Sequence, residues 1–103
     1  MIALSVAYPK SAEKHFDWAY YVEKHIPLVS RLWTSFGLGK VQVLRGASTL
    51  DNSMPASEAI ILLEFSSVED LGRALDAHGA EIMGDVENFT DIQPKLQINE
   101  VVL

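Results

Sequence analysis

The sequence predicts an α+β domain in which a four-stranded antiparallel sheet carries two helices, in the order βαββαβ. Three observations lead there. Four short runs read as strands, the first alternating apolar residues at every second position, and two longer runs between them read as helices, the first with apolar residues at helical spacing. The third strand candidate, EAIILLEF, is apolar on both faces. This element order is that of the split βαβ, or ferredoxin-like, architecture.

Ile2, Leu4, Val6 and Tyr8 alternate with the small residues Ala3, Ser5 and Ala7, and YPK stops this first strand. Ser11 offers a helix N-cap with Glu13 in the first turn, so a long helix is expected from about residue 12 to 36. Pro27 lies inside it. A proline removes a backbone donor and clashes with the carbonyl four residues back, so the helix is expected to kink or restart there, with Ile26 pushed out of the α region. Gly37 and Gly39 end the helix, because glycine accepts the left-handed C-terminal conformation cheaply. KVQVLRG is the second strand, and ASTLDNSMPAS, rich in turn formers and without a period, is a surface hairpin loop.

In the third strand Ala59, Ile61, Leu63 and Phe65 share one face, and Ile60 and Leu62 the other. One helix layer covers one face only. The second face is expected to pack against a copy of itself, giving a homodimer whose two sheets form a barrel-like core. Ser66 or Ser67 caps the second helix, with Glu69 and Asp70 in its first turn and a break expected near Gly79. KLQINEVVL forms the last strand. The whole chain, residues 1–103, reads as a single domain.

Composition narrows the function classes. With 8 basic and 14 acidic residues the net charge is −6, which disfavours phosphate backbones and anionic lipid, so no nucleic-acid partner is expected. The chain has no cysteine, which removes disulfides, thiolate metal sites and cysteine nucleophiles together. The start lacks a signal peptide's basic flank and apolar core, and no stretch approaches the roughly 20 apolar residues of a membrane span. A cytoplasmic protein without membrane contact is expected.

Around the first helix, at about 100° per residue, Trp18, Tyr21, Val22, His25, Val29, Leu32 and Phe36 cluster on one side, with His25 at the centre. Two roles are open to it. It is either a core histidine bonded to a carbonyl freed at the Pro27 kink, or a base or donor facing a cavity. The small residues Ala3, Ser5 and Ala7 are expected to leave room for such a cavity. His78, beside Gly79, is a second candidate acid or base, although a solvated histidine at a helix C-terminus is the plainer reading. His15 is expected in solvent. Asp85 and Asn88 read as capping and turn residues, since their side chains satisfy local backbone groups. No His-x-x-x-His or Glu-x-x-His pair, glycine-rich phosphate loop or Gly-x-Ser-x-Gly elbow occurs, so no metal or phosphate site is expected.

Several motifs taken together resemble the EthD family of the dimeric α+β barrel superfamily. They are YP closing the first strand, FDWAYYVEKHIPL, FGLGKVQVLRG, and HGAEIMGDVENFTDIQPKLQINEV near the end. The core of the likeness is Tyr20, Tyr21, His25, Pro27 and Leu28, paired with Asp85, Asn88, Phe89 and Thr90; Glu87 stands where many relatives carry proline. The resemblance implies a ferredoxin-like subunit that dimerises through its sheets. Similar folds serve as cofactor-free monooxygenases, muconolactone isomerases and polyketide cyclases, each holding a small apolar substrate between sheet and helices. The resemblance makes His25 the first candidate catalytic residue, with Tyr21 and Trp18 lining the same side; His78 is the second catalytic candidate, and Leu28 and Trp33 complete the candidate substrate contacts. No cofactor is implied. Two functions follow: an enzyme of small-molecule catabolism acting by cofactor-free oxidation or isomerisation, or a non-catalytic ligand-binding protein supporting an oxygenase.

Overall fold

The computed structural model describes residues 1–103. Strands β1 (Ile2–Pro9), β2 (Leu38–Arg45), β3 (Ser57–Phe65) and β4 (Lys95–Glu100) form one antiparallel sheet in the order β2-β3-β1-β4. The two most apolar strands, β1 and β3, take its centre. Register puts Leu4 opposite Leu63 on one side and Ile98 on the other, so Ile2, Leu4, Val6 and Tyr8 share a face with Ala59, Ile61, Leu63 and Phe65. That face carries the helices and most of the core. The architecture is the expected α+β ferredoxin-like one.

Ala3, Ser5 and Ala7 register with Glu64, Leu62 and Ile60 on the reverse face, which no helix covers. The room left by these small residues therefore lies on the open side of the sheet. It is not the side on which a cavity was expected to form.

The first helix starts six residues later than its periodicity suggests. Asp17, not Ser11, is the N-cap, its carboxylate accepting from the Tyr20 amide at 3.1 Å. The preceding residues are held by long-range bonds instead: Phe16 bridges Thr90, the Asp17 amide donates to the Phe89 carbonyl at 2.7 Å, and Thr90 Oγ1 donates to the His15 carbonyl at 2.6 Å. These bonds hold backbone groups that a helix would have used for itself.

The helix then runs as α1 (Trp18–Tyr20), a π-helical turn (Tyr21–His25), α2 (Ile26–Trp33) and a 3₁₀ turn (Thr34–Phe36), ending at Gly37 with φ 96°. Pro27 does not push Ile26 out of the α region: Ile26 stays helical at φ −63°, ψ −43°. Its amide donates to Tyr21, five residues back. The wide turn accommodates the proline just before it, where the α-helical ladder would otherwise have to break. One consequence is local: Tyr21 and His25, the first and last residues of that turn, both point inward and are buried.

Helix α2 carries Val29 and Trp33 into the core, and the Trp33 indole donates to the Ala74 carbonyl at 2.9 Å. Helix α3 (Val68–Gly84) begins at Ser67, whose hydroxyl accepts from the Asp70 amide. It is continuous through Gly79, where a break was expected, because a helical glycine flanked by Leu75, Ala77 and Ile82 loses little that the core contacts of Leu71, Ala74 and Ile82 do not restore. After a 3₁₀ turn (Val86–Asn88) the chain reaches β4, which stops at Glu100 rather than Leu103. Glu100 faces Ile2, the first residue of β1, and one further backbone bond, from the Val101 amide to the Met1 carbonyl at 3.2 Å, closes the pairing. No helix is long and apolar enough to cross a membrane.

Candidate functional site

Between the sheet and the helices lies a cavity of about 40 Å³, lined by Leu4, Val6 and Tyr8 from β1, Tyr21, His25 and Trp33 from the first helix, and by α3. Hydrophobic residues make up 14 of its 17 lining positions, so the few polar atoms there decide its chemistry.

His25 is only 4% exposed. Its ring stacks on Tyr21 at 5.2 Å and meets Phe89 at 4.6 Å. Its Nδ1 lies 2.9 Å from Oδ2 of Asp85, the residue that joins the end of α3 to the following 3₁₀ turn. The other Asp85 oxygen accepts from the Tyr20 hydroxyl at 2.7 Å and from Asn88 Nδ2 at 2.9 Å. Burial pushes the Asp85 carboxyl up, but the donors Asn88, Tyr20 and His25 together outweigh it and hold the group below its ordinary value. Asp85 is therefore an anion and Nδ1 carries the proton. Nε2 is left as the acceptor.

Burial also lowers the pKa of His25, and the bond to and charge of Asp85 only partly offset it. The ring is neutral at neutral pH. No fully enclosed side-chain nitrogen or oxygen lacks a partner, and Asp85 is the one partner His25 has, so Nε2 faces the cavity. The same holds for two phenols that line it. Tyr8 and Tyr21 are buried, bond to no protein group through their hydroxyls, and are kept protonated because burial pushes their pKa values far up. The apolar space thus presents one proton acceptor and two donors.

Comparison with solved structures decides the family. An EthD-like protein from Ralstonia eutropha JMP134 superposes with a TM-score of 0.91 at 38% sequence identity, over 99% of this chain and 92% of that one. The chain belongs to the EthD family. An ethyl tert-butyl ether D family protein from Bacillus halodurans C-125 follows with a TM-score of 0.69 at 19% identity, over 99% of both chains. A cofactor-independent oxygenase from Streptomyces nogalater shares the fold, with a TM-score of 0.62 at 13% identity over 99% of this chain and 92% of that one. Scans against protein-family models and curated proteins give no match.

Within this EthD-family chain the residues singled out from the sequence separate into two groups. His25, Tyr21 and Trp33 line the cavity together. Trp18 does not: its indole donates to Glu58 Oε2 at 2.9 Å, and the Arg45 guanidinium lies 5.2 Å over its ring. Leu28 faces an outer groove with Tyr20, Lys24, Pro27, Arg31 and Asp85. His78 lies on α3 with Nδ1 3.4 Å from Glu81 Oε1 and its ring against Phe36, away from the cavity. Of the two roles open to His25, a bond to a carbonyl freed at Pro27 is not formed; its Nδ1 bonds to Asp85 instead.

Three contributors were missed from sequence. Asp85 reads locally as a capping residue, but its carboxylate bonds to no backbone group and meets Tyr20, Asn88 and, 60 positions away, His25. Tyr20 lies outside the inward row of the helix, in the outer groove where its hydroxyl meets Asp85. Tyr8 carried a usable signal, as the one residue of the inward face of β1 with a polar tip.

Proposed function

We propose that this EthD-family protein binds a small hydrophobic molecule in the cavity between sheet and helices and removes a proton from it, His25 Nε2 acting as general base. The observation that carries this is the 2.9 Å bond from His25 to Asp85, which fixes the tautomer and stabilises the imidazolium formed when Nε2 accepts a proton. A C–H beside a carbonyl suits this constellation. As the proton leaves, negative charge gathers on the carbonyl oxygen, and the hydroxyls of Tyr8 and Tyr21 are the donors available to it. Return of the proton to a different carbon gives isomerisation, and reaction of the carbanion with dioxygen gives cofactor-free oxidation. His78 takes no part in this scheme.

The protein acts as a homodimer in the cytoplasm in this reading, joined through the open sheet face. Half-buried Ile60 and Leu62, with Ala3 and Ala7 beside them, support that interface.

The test is solvent-deuterium exchange into phenylacetone, a neutral ketone with acidic benzylic protons. The protein is expected to speed exchange, and His25→Gln to abolish the effect while the circular-dichroism spectrum is kept. Binding of phenylacetone without faster exchange supports the accessory ligand-binding role instead.

A further inference from the structure

The cavity is not closed on all sides. On the α3 side its lining includes Leu75, Gly79 and Met83, spaced four apart along one flank of the helix; facing them are Pro94 and Leu96 at the start of the edge strand β4. Leu75, Met83 and Leu96 are 38, 45 and 44% exposed, so they form the rim of a slot between α3 and β4 that reaches solvent. Gly79 is the only position in this row of the helix without a side chain.

The fold does not explain that glycine. Glycine is among the least favourable residues in a helix interior, its φ here is not positive, and a Cβ built on it meets only Leu75, at 3.6 Å, an ordinary contact. An alanine would fit the helix better. What the missing side chain leaves open is the slot.

One end of the slot continues into a second, polar hollow of about 250 Å³, with which the cavity shares Met83, Val86 and Pro94. Its remaining walls are Glu87, Thr90, Asp91, Ile92 and Gln93. No lysine, arginine or histidine lines it; behind its wall the His15 backbone amide donates to Asp91 Oδ1 at 3.1 Å, with the exposed His15 ring nitrogen 3.5 Å from the same oxygen, and Asp91 is held below the usual carboxylate range, mainly by that amide. At the far end of the inner space His25, more than nine-tenths buried, offers an unpartnered Nε2.

We infer that the ligand is an elongated amphiphile without negative charge, its apolar body lying in the slot against Gly79 and reaching toward His25, its uncharged or cationic polar end held in the hollow beside Glu87, Asp91 and Gln93. Gly79 sets the width of the slot, and the two carboxylates reject a carboxylate-bearing ligand. This rests on the cavity being the binding site and adds to it the shape and charge of what it takes. A resting volume of about 40 Å³ holds only a few waters, so the rim must part for the ligand; Met83, unbranched and flexible, is the rim residue best able to move.

The test compares 4-phenylbutan-1-ol with 4-phenylbutanoate, which match in length and differ in terminal charge. Binding is read from the NMR indole signal of Trp33, assigned with Trp18→Phe, at low ionic strength. The alcohol is expected to bind at least five-fold more tightly than the carboxylate, and Glu87→Gln with Asp91→Asn to close most of that gap. Gly79→Ala and Gly72→Ala form a matched pair, because a Cβ at Gly72 meets nothing within 4 Å and Gly72 lies outside the cavity. Both should raise the melting temperature. Only Gly79→Ala should weaken the alcohol, by five-fold or more. Equal binding of the two probes, or equal effects of the two glycine variants, overturns the inference while leaving the cavity as a binding site. If neither probe shifts Trp33, the cavity fails as the site and the inference fails with it.

Discussion

Asp85 and His25 are 60 residues apart in sequence and 2.9 Å apart in the structure, carboxylate Oδ2 to ring Nδ1. The link ties the end of α3 to the π-turn of the first helix and orients the one basic nitrogen that faces the cavity. Because Asp85 is itself held by Tyr20 and Asn88, the ring cannot rotate without breaking a network of three donors.

Asp85→Asn tests the orienting role. The amide removes the charge that favours the Nδ1–H tautomer and the imidazolium, so phenylacetone exchange should fall by about 10²- to 10⁴-fold, the usual span for a general base that is lost or misaligned. Phenylacetone affinity should change little. Retained exchange with unchanged pH dependence would show that Asp85 serves only to tie these side chains together.

Among the groups with depressed pKa values, His25 and Asp85 are the pair at the cavity, and both shape the pH dependence of stability. The folded protein holds His25 below its ordinary 6.5, so between that value and the lower folded one the unfolded chain binds the extra proton. Stability is fully present above pH 6.5 and is lost as pH falls toward the folded pKa, with a slope of at most about 1.4 kcal/mol per pH unit from this one group. Asp85 adds a further loss in the same direction below its ordinary 3.8. Urea titrations from pH 7.5 to 4.5 should show the first loss, and His25→Gln should flatten it. A flat wild-type profile across that range excludes a buried neutral histidine.

Exchange activity should rise with pH through the same depressed value, since only the neutral ring accepts a proton. A rate that falls as pH rises from 5 to 7 would require a cationic His25 and a different mechanism.

Tyr8→Phe and Tyr21→Phe each remove one cavity hydroxyl that bonds to nothing else in the protein. Neither should cost much stability, because a buried donor without a partner contributes none. Each should slow exchange by roughly 10²-fold if its hydroxyl meets the developing enolate. Two silent variants would remove the phenols from the mechanism.

Leu62→Asp places a charge at the centre of the open sheet face, opposite Ser5. Sedimentation should show the parent chain at twice its monomer mass and the variant as a monomer. A monomeric parent at micromolar concentration ends the case for a sheet-to-sheet dimer.

Taken alone, the sequence settled what local periodicity encodes. Alternation in β1 and β3, glycine at position 37 and serine at 67 specified the element order and most boundaries, because each acts through residues within one turn or one pleat of itself. It also singled out His25, and of the row around it Tyr21 and Val29 are buried while Val22 is exposed. Only the tertiary structure decided what that row faces. The start of the first helix went to Asp17 because residues 89–91 engage the chain ahead of it. The strain of Pro27 became a π-turn instead of a kink. Asp85 turned from a cap into the partner of His25, and the small residues of β1 proved to face away from the cavity. Each of these depends on groups brought together from distant parts of the chain, and neither periodicity nor spacing carries that information.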